Sequence, residues 1–237
     1  MKTYNLLLAG LLLVASSCSN EENTSLSDKK SDGESHAAMM EASENGAFQK
    51  NPRRELGIPD GKYLLTKETH LITWEASKIT GSTHSGIILA ESGKFMVEEG
   101  VISRGVVSIK MNSFEVTDIT GEDKANFEGH LTSEDFLSIE TFPTARLMMN
   151  GSSTDDAGTM TLDCAFDFHG VVVNYNVPFT AKEKKLAEGG MGYQINGAFT
   201  IDRTKHNMTY GSGSVFDDLG DRVINDGIKI GFEFTAI

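Results

Sequence analysis

"TMTLDCAFDFHG", residues 159–170, alternates without a break: Met160, Leu162, Cys164, Phe166 and Phe168 fall on one side, Thr161, Asp163, Ala165 and Asp167 on the other. Successive side chains of a strand point to opposite faces, so a period of two marks a half-buried strand. After His169-Gly170 the pattern resumes with Val171, Val173, Tyr175, Val177 and Phe179. Two alternating runs joined by two turn residues predict an antiparallel hairpin.

The same period extends outward. "GYQINGAFTID" (192–202) sets Tyr193, Ile195, Phe199 and Ile201 on one face, and "NDGIKIGFEFTAI" (225–237) does so with Ile228, Ile230, Phe232 and Phe234. Further strands are expected at 63–67, 70–78, 84–98, 100–112 and 143–150. Only "TGEDKANFEGHLTSEDFL" (120–137) reads as helical, with Phe127, Leu131 and Phe136 on one side; Ser133 before Glu134-Asp135-Phe136 suits a helix N-cap. The expectation is all-β: an eight- to nine-stranded antiparallel barrel with a short helical insertion around residues 119–138. That strand number suits closure around one small ligand.

The chain opens "MKTYNLLLAGLLLVASSCSNEEN". One lysine, an apolar run from Leu6 to Val14 and small residues before Cys18 describe a secretory signal peptide over residues 1–17. The run is shorter than the ~20 apolar residues a membrane-spanning helix needs. "VASSC" resembles a bacterial lipobox, which predicts lipidation of Cys18 and anchoring in the bacterial cell envelope, on the outer membrane's periplasmic or surface face. Residues 19–60 are rich in Ser, Glu, Asn and Asp. With Cys18 they read as a disordered tether over 18–60, with an r.m.s. span of roughly 35 Å. Residues 61–237 are then the folded domain. Lipidation leaves Cys164 as the second of two cysteines, so no disulfide framework is expected.

With 21 basic against 34 acidic residues the formal charge is −13. An acidic chain without a basic patch argues against a nucleic-acid partner and against electrostatic docking on anionic lipid. Membrane association is therefore expected through the anchor. Homo-oligomerisation is left open.

Enzyme motifs are missing: no G-x-S-x-G, H-E-x-x-H, C-x-x-C or P-loop occurs. His84, His130, His169 and His206 are far apart and lack the i, i+2 or i, i+4 spacing of paired metal ligands. Neither a catalytic residue nor a metal or cofactor is expected, although a barrel rim can gather distant histidines into a metal or acid–base site. Glu134 and Asp135 near His130 keep that reading open, with capping of a corner as the plainer role. An outer-membrane barrel would need aromatic girdles, and one Trp and five Tyr are few for that. The apolar faces are read as inward. There Trp74, Ile109, Met111, Leu162, Phe166, Tyr175, Phe199 and Phe232 form either a solid core or the lining of a cavity. By pattern alone the solid core is favoured.

Four stretches, in order, carry a family resemblance over residues 61–237. "SIKMNSFEVTD" (108–118) has Met-x-Ser and then an Asp-bearing loop. "GHLTSEDFLSIETFPTARL" (129–147) has His-Leu, Ser, Asp-Phe and a Pro before a strand. "FDFHGVVVNYNVPF" (166–179) is a His-Gly hairpin. "IDRTKHNMTYGSGSVFDDLGDRVINDGIKIGFEF" (201–234) has Asp-Arg-Thr and a final hairpin. Together they resemble the YceI-like family of lipocalin-like polyisoprenoid-binding proteins. Lys110 stands where the commonest members have Asp. "WEASKITGSTHSG" (74–86) resembles the pattern of a subgroup.

The resemblance implies a lipocalin-like barrel with a long apolar pore for a polyisoprenoid, an isoprenoid quinone or a similar apolar lipid, without catalysis. The expected pore lining is Trp74, Ile109, Met111, Phe127, Leu131, Phe136, Leu162, Cys164, Phe166, Tyr175, Phe199, Ile230 and Phe232. Phe136 and Phe142 are expected to plug apolar gaps at a helix-to-strand corner, with Pro143 opening a strand. The rival readings are a solid-core interaction or stress-response module and a metal or enzymatic role at the His-bearing rim.

Overall fold

The computed structural model describes residues 56–237. Eight strands follow one another: β1 (Gly61–Ser77), β2 (Thr83–Glu98), β3 (Val101–Val116), β4 (Thr144–Thr154), β5 (Met160–Phe168), β6 (Val171–Lys185), β7 (Met191–Asp202) and β8 (Gly227–Ala236). Each pairs antiparallel with the next, and β8 returns to β1 to close a barrel. One helix, α1 (Gly121–Thr132), lies between β3 and β4. The segments expected at 63–67 and 70–78 are one strand: β1 continues through a register irregularity between Leu65 and His70 that bends it against β8.

The alternation that marked β5 decides which side is inside. Leu162, Cys164, Phe166 and Phe168 are 0, 0, 5 and 7 % exposed, while Asp163 between them faces outward. Cys164 stands opposite Tyr175 on β6 and Met149 on β4. The turn from β5 to β6 is made by His169 and Gly170, both at positive φ (50° and 74°), as a two-residue type I′ hairpin requires. β6 runs beyond its apolar face to Lys185 because its ladder with β7 continues. There Lys184 donates to the hydroxyls of Thr69 and Thr235 at 2.7 and 3.0 Å.

One end of the barrel is packed solid. Phe95, Val97, Ile102, Val107, Met149, Val177, Ile195 and Phe234 are all buried there. Tyr63 stacks on Phe95 at 5.2 Å and meets Tyr193 edge-on at 5.5 Å. Leu56 and Ile58 are buried in the same core, and the Leu56 amide donates to Gly100 at 3.0 Å. The Asp60 carboxylate accepts the Glu99 and Gly100 amides. Residues 56–60 thus pack on the folded domain, at the end of the tether expected over 18–60, as the restraint of Pro59 within "NPRRELGIPDGKY" (51–63) allows.

The other end is covered by α1 and by residues 203–226. Ser133 does not start a helix, contrary to the N-cap expectation. It is the C-cap of α1: its hydroxyl donates to His130 O at 2.7 Å and accepts from the Asp135 amide at 3.3 Å. The Ser133 amide donates to the same His130 carbonyl at 3.2 Å, so one residue serves a helix-end acceptor twice. Among the described residues no helix is long and apolar enough to cross a membrane.

Candidate ligand-binding cavity

Under α1 the barrel is hollow. A cavity of about 340 Å³ is walled by Trp74 and Ala76 of β1, Ile88 of β2, Phe114 of β3, Phe168 of β5, Ile201 of β7, and Ile228 and Ile230 of β8. Phe127 and Leu131 of α1, Phe136 and Leu137 of the following corner, and Met208 and Ile224 complete it. Trp74 stacks on Phe114 at 4.9 Å. A Cβ at Gly86 would clash with the Glu115 carbonyl oxygen and stand 2.7 Å from the indole, so the glycine admits both the neighbouring backbone and the tryptophan. Among polar wall residues, Lys78 and Ser82 are exposed and His84 is partly so, which locates the mouth at the β1–β2 turn.

α1 is held over the cavity by its polar side. The Glu128 carboxylate accepts the Val116 amide at 2.8 Å, and Lys124 bridges Glu115 at 2.8 Å and Glu128 at 3.7 Å. Phe127 packs on the His84 ring at 4.5 Å, and His84 Nδ1 pairs with Asp118 at 2.9 Å. Burial alone would raise the Asp118 pKa, but the Ser85 amide and His84 outweigh it and hold that carboxyl below its usual range. The Asp-bearing loop is therefore a latch between the β2 edge and the lid. Ser113 of the Met-x-Ser stretch accepts the Leu89 amide and donates to Lys110 O, bridging a register shift between β2 and β3. At the corner, the rings of His130, Phe136 and Tyr210 meet at 4.9–5.2 Å, joining the lid to residues 203–226. His130 also lies 3.6 Å from Asp135. Phe142 covers the β5–β6 hairpin, its ring 4.4 Å from that of His169.

Two buried polar residues organise the remaining rim. Arg203, 1 % exposed, donates through Nε to Asn225 O (3.2 Å), through one terminal nitrogen to Met208 O (2.9 Å) and Tyr210 O (2.8 Å), and through the other to Ile224 O (3.0 Å). Asp226 lies 3.3 Å from the guanidinium. A planar fork of five donors suits this gathering of four carbonyls, and an ammonium would not reach them all. His206 is fully buried, with Nδ1 near Phe168 O (3.2 Å) and Val171 O (3.1 Å) and Nε2 3.0 Å from the Tyr175 hydroxyl. Carbonyls only accept, so Nδ1 carries the proton and Nε2 accepts from Tyr175: every partner is satisfied by the neutral ring. Burial pushes the pKa of His206 down, and that of His169 likewise.

Of the thirteen residues expected to line a pore, Trp74, Phe127, Leu131, Phe136 and Ile230 lie on the cavity wall. The other eight do not, and their expected role is corrected. Ile109, Met111, Leu162, Cys164, Phe166 and Phe232 are buried farther along the barrel, where inward side chains meet one another. Tyr175 and Phe199 pack together at 5.3 Å beside them. Burial, with Asp163 as a lesser cause, drives the Cys164 thiol up to about 12. Phe232 fills the place of the side chain Gly197 lacks, since a Cβ there would clash with its ring. Cys18 lies outside the described residues. Sequence reasoning missed Ile88, Phe114, Phe168, Ile201, Met208 and Arg203. Arg203 had a signal, an arginine immediately after the apolar face of β7. Among the described residues no group of three or more His, Cys, Asp or Glu gathers as metal donors.

A closed eight-stranded antiparallel barrel with an apolar cavity under a helical lid places the chain in the class of β-barrels with a hollow interior. The YceI-like domain model matches residues 63–236, and the chain belongs to that family. Solved structures similar to it include Burkholderia cenocepacia BcnA (14 % identity, TM-score 0.48, covering 70 % of this chain and 96 % of that one). A polyisoprenoid binding domain from Saccharophagus degradans, implicated in plant cell wall breakdown, has the same identity and TM-score, with 75 % and 98 % covered. The Campylobacter jejuni YceI protein has 16 % identity and a TM-score of 0.44, with 56 % and 71 % covered. No curated protein matches the sequence.

Proposed function

We propose that this protein binds and shields an isoprenoid or similar apolar amphiphile, non-enzymatically, from a lipid-anchored position in the bacterial envelope. The observation that carries the reading is the cavity: about 340 Å³ walled almost wholly by aliphatic and aromatic side chains, within the size range of small-molecule sites. Water gains little there, because a site without polar partners does not hold it well. An apolar tail takes its place, with the polar end at Lys78, Ser82 and His84. The acidic residues near His130 serve the corner and not a reaction. The family membership supports a lipid as ligand, and the "VASSC" stretch supports an anchor at Cys18.

The test is organic extraction of the purified protein from two unrelated hosts, followed by mass spectrometry. A stoichiometric apolar lipid is expected from each, and clean extracts from both would defeat the reading. For the anchor, Cys18→Ser is expected to move the protein out of the membrane fraction. A correctly cleaved Cys18→Ser chain still sedimenting with membranes would remove that part.

A further inference from the structure

We infer that the barrel encloses only a short chain, about three isoprene units or an acyl chain of like length, and that Phe168 and the residues behind it set this limit. The inference rests on the cavity being the ligand site.

Two observations carry it. The first is volume. A dry apolar cavity of ~150 Å³ accepts one benzene ring, so about 340 Å³ takes roughly twelve to fifteen carbons. The second is the floor. Inward positions two residues apart step ~6.6 Å along a strand, and on four of the strands that wall the cavity the next inward position toward the far end is a buried side chain. Phe168 is backed by Phe166, stacked on it at 5.2 Å, and then by Cys164 and Leu162. Ile230 is backed by Phe232 and Phe234, themselves stacked at 4.9 Å. Trp74 is backed by the buried Ile72, and Ile88 by Ala90. A longer chain finds no continuation of the cavity, and its extra carbons stay at the mouth in water.

The chain's single tryptophan lies in the cavity wall, so its emission reports occupancy. Prenyl alcohols of two, three, four and eight isoprene units would be titrated against the full-length protein. Each buried methylene tightens binding roughly fourfold, so affinity is expected to rise at least about a hundredfold from two units to three. From three units to eight it is expected to change by less than about tenfold. A rise that continues steeply to eight units would overturn the length limit and leave the apolar-ligand reading standing. If no alcohol alters Trp74 emission or is retained in equilibrium dialysis, both fall.

Phe168→Ala is expected to move the plateau from three units to four. A plateau still at three would remove Phe168 as its cause. Phe168→Leu opens less space, and serves the same comparison if the alanine variant melts below the titration temperature.

Discussion

The two ends of this barrel are built from the same alternating strands and differ in what their inward side chains meet. At the end where β2 turns into β3, Phe95, Val97, Ile102, Ile195 and Phe234 touch across the axis, and Leu56 and Ile58 close the last gap. At the end under α1, Trp74, Ile88, Phe168, Ile201 and Ile230 stop short of one another and leave about 340 Å³. Burial separates the ends less than contact does: Phe234 is 1 % exposed, Ile201 0 % and Trp74 7 %, and of these five cavity residues only Ile230 is partly buried. Being shielded from water is therefore separate from being in contact. Only the second gives a side chain its full dispersion partners.

The comparison is broken most directly by truncation. Phe234→Ala at the packed end deletes a ring that stacks on Phe232 and touches the core all round, so a loss of about 3–5 kcal/mol is expected. Phe136→Ala at the lid removes a half-buried ring that borders the cavity and meets His130 and Tyr210. Its expected cost is about 1 kcal/mol, below the 1.5–3 kcal/mol of a fully buried side chain. Urea unfolding of the two variants measures both. Equal losses would mean the lid end is as tightly packed as the other.

Enlargement should show the reverse asymmetry. Cys164→Trp forces an indole into a position without exposure or adjoining space, at an expected 1–3 kcal/mol or somewhat more. Ile230→Trp adds a similar bulk at the cavity wall, where empty volume absorbs it. Its melting temperature is expected to stay near that of the parent while co-purified lipid is lost. If Ile230→Trp destabilised the fold as much as Cys164→Trp, the hollow would not be available space.

Much of the fold was legible because a strand's period of two is local: Leu162, Cys164, Phe166 and Phe168 declare an inward face without reference to anything else in the chain. Whether an inward face meets another across a barrel is not local. It depends on register, tilt and the size of partners more than a hundred residues away, and so Phe166 and Phe232 read like Ile230 although only Ile230 reaches the cavity. Ser133 was misread for a related reason. A serine before acids suits either end of a helix, and only the path of the chain after Thr132 decides. Arg203 and His206 were hidden because polar residues at a strand end are usually solvated; here the carbonyls of residues 208–225 and 168–171 close around them.

The lid end should also be the acid-sensitive one. Burial lowers the His206 and His169 pKa values from the usual one near 6.5. Above pH of about 6.5 neither form of the chain takes up these protons, and their contribution is constant. Below it the unfolded chain binds them while the folded chain does not, so stability falls as pH drops toward the lowered values. The slope is at most about 1.4 kcal/mol per pH unit for each group. Unfolding at a series of pH values between 7.5 and 5 should show this loss, and His206→Gln should flatten part of it. An unchanged slope in His206→Gln would mean that the ring is not held neutral by its three partners.

The smallest expected effect is none, and it reads the packed end directly. With Cys18→Ser in place, Cys164 is the one thiol left in the chain, fully buried and with a pKa pushed up to about 12. Only the thiolate reacts readily, and a buried thiol in apolar surroundings stays inert. Native protein should therefore resist a small thiol reagent for hours, with modification tracking global unfolding as urea is added. The matching probe at the hollow end is Ile230→Cys in a chain that also carries Cys18→Ser and Cys164→Ala. That thiol borders open volume, so it should be labelled in minutes by a small apolar reagent and be protected when a prenyl alcohol is present. Rapid labelling of Cys164 in the folded chain would show that the packed end opens on its own. Slow labelling at position 230 without ligand would show that the cavity does not communicate with its mouth.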